Sequence, residues 1–281
     1  MPERLITHLR HVDIAVPDFG RQLEFYRNVW GLTQVGGDSG VAFLAAEGSP
    51  EQYVLRLREG GKRLDLVAFG AENPAHVNAL AAQLATAGVT LISEPGQLGT
   101  LGGGYGFRFF DVDGRTIEVS CDVAVRQHRQ VEAKEAIPVR LSDTLGGVMH
   151  FMRCNPRHHS FAVARGPHAS VHHISFEMRG LDEYMYGTGR VIRSGARFLW
   201  GPGRHLAGDN TFSYFLDPHG NTIEYTTQLQ ELDEDSWHPH IYDMRDPMVQ
   251  DQWGTANPMN ELVAKESFND VDPGLFVAPP L

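Results

Sequence analysis

The stretch Phe109-Phe110-Asp111-Val112-Asp113-Gly114-Arg115-Thr116-Ile117-Glu118 reappears later in the chain as Phe215-Leu216-Asp217-Pro218-His219-Gly220-Asn221-Thr222-Ile223-Glu224. Upstream of each copy, Ala87-Gly88-Val89 and Glu94-Pro95-Gly96 match Ser194-Gly195-Ala196 and Gly201-Pro202-Gly203 at nearly the same offset. Both copies follow one local order. A strand-like run (64–69 or 173–178) leads into a helical stretch and a Gly/Pro turn. A strand, a tight Asp-x-x-Gly turn and a last strand ending on Glu then follow. Within 74–87, Val77, Leu80, Ala81 and Leu84 recur at helical spacing. The repeat is a β-α-β-β-β unit.

Working outward, residues 11–16 predict a strand, and Pro17-Asp18 opens a helix with Phe19, Leu23, Tyr26 and Trp30 on its apolar side. Strands are expected at 33–35, 41–45 and 53–57. The N-terminal half thus holds two units, roughly 10–58 and 62–121, and the C-terminal half a complete one at about 170–228. Residues 140–151 line up with 32–43, the second and third strands of the first unit. Nothing precedes them that corresponds to the strand and helix of 10–31. The expected fold class is α+β, with repeated β-α-β-β-β units forming two cup-shaped domains, the third unit truncated. The domains are expected at 1–125 and 138–232, with a linker over 126–137 and an acidic, Pro-rich extended tail over 233–281.

The chain has 281 residues, 42% hydrophobic and 21% charged, with a formal net charge of −11. That composition suits a globular protein. The acidic balance argues against nucleic acid or an anionic membrane surface as partner, since both need a cationic footprint. No apolar run approaches the ~20 residues of a membrane span. No secretory signal is visible at the start and two cysteines make no disulfide framework, so a cytoplasmic protein is expected.

Histidines gather in the second half, in Asn155-Pro156-Arg157-His158-His159-Ser160, in Val171-His172-His173-Ile174-Ser175-Phe176-Glu177 and in Gly203-Arg204-His205. Strand alternation puts Ile174, Phe176 and Met178 on one face and His173, Ser175 and Glu177 on the other. By the same rule Ile223 and Tyr225 are apolar-facing while Thr222, Glu224 and Thr226 face the polar side. A curved sheet with helices outside would collect His173 and Glu224 in its interior, a donor pair suited to a divalent first-row metal.

These stretches, with Tyr214, Asp217-Pro218-His219-Gly220 and Glu224, resemble the type I extradiol catechol dioxygenases of the vicinal oxygen chelate superfamily, over roughly residues 8–230. The flavour is that of enzymes acting on 2,3-dihydroxybiphenyl or related catechols, and Asp251-Gln252-Trp253-Gly254 also fits that group. Ser213 is a departure, because an apolar residue usually precedes this Tyr. The resemblance implies Fe(II), or Mn(II) in some relatives, held by two His and one Glu, with catechol and O2 as substrates. Carried over by position, His173 and Glu224 would be metal ligands, His159 the acid/base, and His205 and Tyr214 hydrogen-bonding partners of the substrate oxygens.

The family's first His ligand lies on the first strand of the third unit, in a Leu-Ser-His-like context. Here Leu141-Ser142 is followed by Asp143, and that strand and its helix are missing. His150, His168 or Asp143 is a candidate substitute. His11 and Glu118 are the counterparts in the first half of the missing ligand and of Glu224, but Leu64 stands where His173 would, so His11 is read as structural. The expectation is a dioxygenase with an impaired metal site. The alternative is a catalytically silent aromatic-ligand-binding or scaffolding member of the same superfamily. A glyoxalase- or epimerase-like metalloenzyme is disfavoured by the His159, His205 and Tyr214 set. Exposed sheet edges predict a homo-oligomer in either case.

Overall fold

The computed structural model describes residues 4–129, 132–259, 271, 272 and 274. The chain divides into two compact units, one running to Pro138 and taking in Asp272, the other from Val139 to Val271.

The first unit contains β1 (His8–Val16), α1 (Phe19–Glu24), which continues as a π-helical segment Phe25–Trp30, β2 (Thr33–Asp38), β3 (Val41–Ala45) and β4 (Leu55–Glu59). Then follow β5 (Arg63–Gly70), α2 (Pro74–Thr86), β6 (Leu91–Gln97), β7 (Tyr105–Phe110) and β8 (Thr116–Cys121). All eight strands join one sheet in the order β2-β3-β4-β1-β5-β8-β7-β6. β1 is its keystone, parallel to β4 and antiparallel to β5. Local chemistry sets the boundaries. The Asp18 carboxylate accepts from the Arg21 amide at 3.1 Å, and Asn73 caps α2 through the His76 amide at 3.1 Å with Pro74 just inside.

The second unit contains β9 (Arg140–Leu145), β10 (Met149–Arg153), β11 (Phe161–Ala164), β12 (Ile174–Glu177), α3 (Leu181–Arg193), β13 (Phe198–Arg204), β14 (Thr211–Leu216), β15 (Thr222–Thr227), β16 (Ile241–Tyr242) and α4 (Pro247–Gln250). Its strands form two four-stranded sheets, β11-β10-β9-β16 and β12-β15-β14-β13. By repeat position β11 matches β4 and β12 matches β5, so the division falls where β1 stands in the first unit.

The repeated turn has one cause in both units. The Asp111 carboxylate accepts from the Asp113 and Arg115 amides at 3.0 and 2.9 Å, and Asp217 does the same for His219 and Asn221, each at 2.9 Å. Gly114 and Gly220 supply the left-handed residue that each turn needs, at φ 82° and 76°.

The segment after residue 232 differs from the extended tail expected. β16 pairs in parallel with β9, and the Arg204 amide donates to Asp251 Oδ1 at 3.0 Å while the Gln252 amide returns to the Arg204 carbonyl at 2.7 Å. Its backbone groups find partners in the second unit, a pairing that leaves no periodic hydrophobic signature. Residues 260–270, 273 and 275–281 of that expected tail, and 130–131 of the expected linker, lie outside the described residues.

Candidate active site

β12 and β15 run parallel with Ser175 opposite Glu224, and Tyr214 on β14 stands opposite Glu224 from the other side. Alternation then does what the sequence implies. Ile223 and Tyr225 are buried beneath α3, where a Cβ on Gly187 would lie 3.1 Å from the Tyr225 ring and 3.2 Å from Met178 Cε. The other face carries the polar set. His173 Nε2 lies 3.3 Å from Glu224 Oε2, and the His173 and Tyr214 rings meet edge-on with centroids 5.3 Å apart. His205 Nε2 is 3.3 Å from the Tyr214 hydroxyl. His159 feels the charges of both His173 and His205. His159, His173, His205, Tyr214 and Glu224 thus share one neighbourhood, although they come from five separate stretches of chain.

Two of the imidazoles, His205 and His173, are held from behind. The Gln250 carbonyl lies 2.9 Å from His205 Nδ1. A carbonyl only accepts, so Nδ1 carries the proton and Nε2 presents its lone pair toward Tyr214. Phe212 stacks on the same ring at 4.0 Å, with Trp200 against Phe212 at 4.1 Å. His172 Nδ1 sits 2.6 Å from His173 Nδ1. Burial, with His173 beside it, holds the His172 imidazole down to about 2.

Burial keeps the His159 and His205 imidazoles neutral. Burial first, then His158, His173 and His205, holds His159 well below the usual imidazole range. Burial lowers His205 too, outweighing the opposing pull of Glu224. Burial and the Glu224 carboxylate together push the Tyr214 hydroxyl well above the usual phenol range. Glu224 itself is 3% exposed, and its Oε1 has no hydrogen-bond partner among the described residues.

Two of the three candidate substitutes for the missing ligand are placed elsewhere. Asp143 is fully engaged, with Oδ2 2.7 Å from His158 Nε2 and Oδ1 accepting from the His240 amide at 2.6 Å. His150 follows Thr144 across the β9–β10 ladder, its Nδ1 3.4 Å from the Thr144 hydroxyl, and alternation turns it away from the face where Phe151 meets His159. His168 lies half-buried in the loop before β12. Among the described residues, no three His, Cys, Asp or Glu side chains gather as a metal-holding group.

Sequence reasoning missed the groups behind the site: His158 as partner of Asp143, His240, and Gln250. The adjacent His158-His159 pair was the one signal available. The odd Ser213 also acquires a reason, since the Tyr184 hydroxyl from α3 reaches its Oγ at 2.7 Å and donates to the Phe212 carbonyl at 2.5 Å.

Comparison with known proteins fits this geometry. The glyoxalase/bleomycin resistance protein/dioxygenase superfamily matches at residues 8–119 and 132–225. The chain belongs to that superfamily. Extradiol catechol dioxygenases are among its relatives there. It is 23% identical to metapyrocatechase 2 of Cupriavidus necator over 92% of both chains. It is also 23% identical to the manganese-dependent 2,3-dihydroxybiphenyl 1,2-dioxygenase of Geobacillus genomosp. 3, over 83% of this chain and 89% of the other. A solved structure of the Mn(II)-bound glyoxalase from Novosphingobium aromaticivorans superposes with a TM-score of 0.87 at 37% identity, covering 96% of this chain and 97% of that one. No described helix is long and apolar enough to cross a membrane.

Proposed function

We propose that the chain is a metal-dependent extradiol dioxygenase that opens the ring of a catechol of the 2,3-dihydroxybiphenyl type, with a weakened metal site. The carrying observation is Glu224, a buried carboxylate with one oxygen unpartnered among the described residues and with His173 and Tyr214, rather than a guanidinium, beside it. A buried carboxylate without a cation is strongly disfavoured, so the position is suited to a bound divalent ion. His173 Nε2 and Glu224 Oε2 are close enough for one ion to contact both, since such donors sit about 2.0–2.2 Å from the metal. Fe(II) or Mn(II) there would supply Lewis acidity toward the catechol oxygens and a binding position for O2.

The remaining roles fall to this chain's own side chains. His159, kept neutral by burial, accepts a proton from a substrate hydroxyl at its Nε2. Tyr214, kept protonated by burial and the Glu224 charge, turns its one hydroxyl proton from His205 Nε2 to a substrate oxygen when substrate binds. His205, fixed by the Gln250 carbonyl, holds Tyr214 in register. Two protein donors bind a metal less tightly than the usual three, which predicts slow turnover. The cytoplasm and a homo-oligomeric state belong to the same reading.

The test is anaerobic loading of the full chain with Fe(II) or Mn(II), followed by metal stoichiometry, O2 uptake and semialdehyde absorbance with 2,3-dihydroxybiphenyl. Slow, metal-dependent O2 consumption with ring-cleavage product is expected. Catechol binding unaffected by chelator and without O2 uptake would favour the silent binding module instead. The likeness to a Mn(II)-bound glyoxalase favours a second reading, a metal-dependent isomerisation, which would show as hemithioacetal turnover without O2.

A further inference from the structure

Behind His159 runs a buried hydrogen-bonded chain that the roles above leave unused. Asp143 on β9 and His158 are both fully buried. Asp143 Oδ2 is 2.7 Å from His158 Nε2, and His158 Nδ1 is 2.9 Å from His159 Nδ1. A carboxylate accepts only, so His158 Nε2 carries a proton and a neutral His158 offers the lone pair of Nδ1. His159 must then donate from its own Nδ1, which leaves its Nε2 free as a base.

The chain is held rigid from several sides. The Phe151 ring lies 5.4 Å from that of His158 and 5.0 Å from that of His159. Trp237 meets His158 edge-on at 6.4 Å while its indole N–H donates to the Ser142 carbonyl at 2.9 Å. Gly208, at φ 86°, brings its backbone so close that an added Cβ would sit 3.0 Å from His158 Nδ1. On the far side of Asp143, Oδ1 takes the His240 amide at 2.6 Å and faces the His240 ring nitrogen at 3.3 Å, with Tyr242 nearby.

Among its described residues the first unit has no such arrangement. Extending the register of 140–151 against 32–43 puts Val35 at the position of Asp143 and Pro50 at that of His158. The chain of acid and imidazole therefore accompanies the unit that carries His173 and Glu224, and is absent from its sibling.

We propose that Asp143 and His158 are positioning residues that set the tautomer of His159 and carry its proton during the reaction, an inference that rests on the acid/base role given to His159 above. When His159 Nε2 takes the proton of a substrate hydroxyl, its Nδ1 proton passes to His158 Nδ1. The resulting His158 imidazolium is paired with the Asp143 carboxylate. Proton return runs the same path backward, so no net charge is left at His159.

Asp143→Asn tests this, because the amide keeps its oxygen for the His240 amide and offers an N–H to His158 Nε2. His158 must then carry its proton on Nδ1 and donate to His159, whose Nε2 becomes a donor. Histidine ¹⁵N NMR of the full metal-free chain is expected to show the His159 tautomer inverted in the variant. In the metal-loaded enzyme kcat is expected to fall by about 10²–10⁴ with KM little changed, as a wrong-tautomer histidine behaves in a serine-protease triad. An unchanged His159 tautomer overturns the relay whether or not catechols are turned over. Failed turnover by the parent chain instead counts against the dioxygenase reading and leaves the NMR result to decide the relay. Should Asp143→Asn not fold, His158→Gln serves: a side chain able to donate or accept should populate both His159 tautomers, and one unaltered tautomer would again refute the proposal.

Discussion

Glu118 and Glu224 occupy the same repeat position in the two units and meet different fates. Glu118 is 1% exposed and accepts from Arg108 Nε at 2.9 Å. Tyr214 replaces that arginine opposite Glu224, so the second carboxylate is buried with no guanidinium. Around Glu118 the other charges are neutralised too. His11 Nδ1 is 2.8 Å from Asp13, Asp13 is 3.2 Å from Arg56, and Arg56 and Arg58 reach Asp65 at 3.2 and 2.8 Å. One scaffold thus gives Glu118 a guanidinium in the first unit and leaves Glu224 with a histidine and a tyrosine in the second. The lesson is that a single cross-strand partner separates a structural acid from one that invites a cation.

Exchanging those partners should have the largest effect. Arg108→Tyr strands Glu118 and is expected to cost the first unit about 3–5 kcal/mol in urea denaturation. The reciprocal Tyr214→Arg supplies Glu224 with a guanidinium and should abolish divalent-ion binding by calorimetry while the fold persists. Undiminished ion binding in that variant would remove the distinction between the two units.

A second contrast concerns volume. The first unit places a small residue on its helix, Val77, and a large one on its strand, Phe107. The second reverses this, with Tyr184 on α3 and Ser213 on β14, all four fully buried. Tyr184→Phe leaves Ser213 and the Phe212 carbonyl short of a partner and should cost about 1–3 kcal/mol. Adding Ser213→Ala should recover part of that loss, since removing both partners spares the buried hydroxyl its penalty.

The smallest effect is expected with pH, and only in the second unit. His159 and His205 are held neutral in the fold below the range where they protonate in the unfolded chain. Below the unfolded value, near 6.5, the unfolded state binds more protons, so stability falls as pH drops. The metal-free chain should therefore lose a few degrees of Tm between about pH 7 and 5. His205→Phe should reduce the loss, and an unaltered slope would argue that these imidazoles do not govern it.

Much of this was legible in the chain. Period-two alternation alone put His173 and Glu224 on one face, and the Asp-x-x-Gly repeat located the strands that carry them, because both signals act between near neighbours. Asp143 misled as a ligand candidate for the converse reason. Its partners His158 and His240 lie on distant segments, and no local pattern announces which buried acid will meet which imidazole. The residues after 232 were read as a tail because β16 and α4 are too short to leave a periodic trace.

Local sequence therefore determined the repeated units, the missing strand and helix of the third, and the faces on which the chemical groups stand, since backbone geometry fixes alternation residue by residue. Tertiary structure alone decided which of those groups meet. It gave Glu118 its arginine and Glu224 none, tied His159 through His158 to Asp143, and seated Gln250 behind His205. Those pairings depend on where distant segments are brought together, and the energy of a buried charge depends on its nearest partner rather than on its neighbours along the chain.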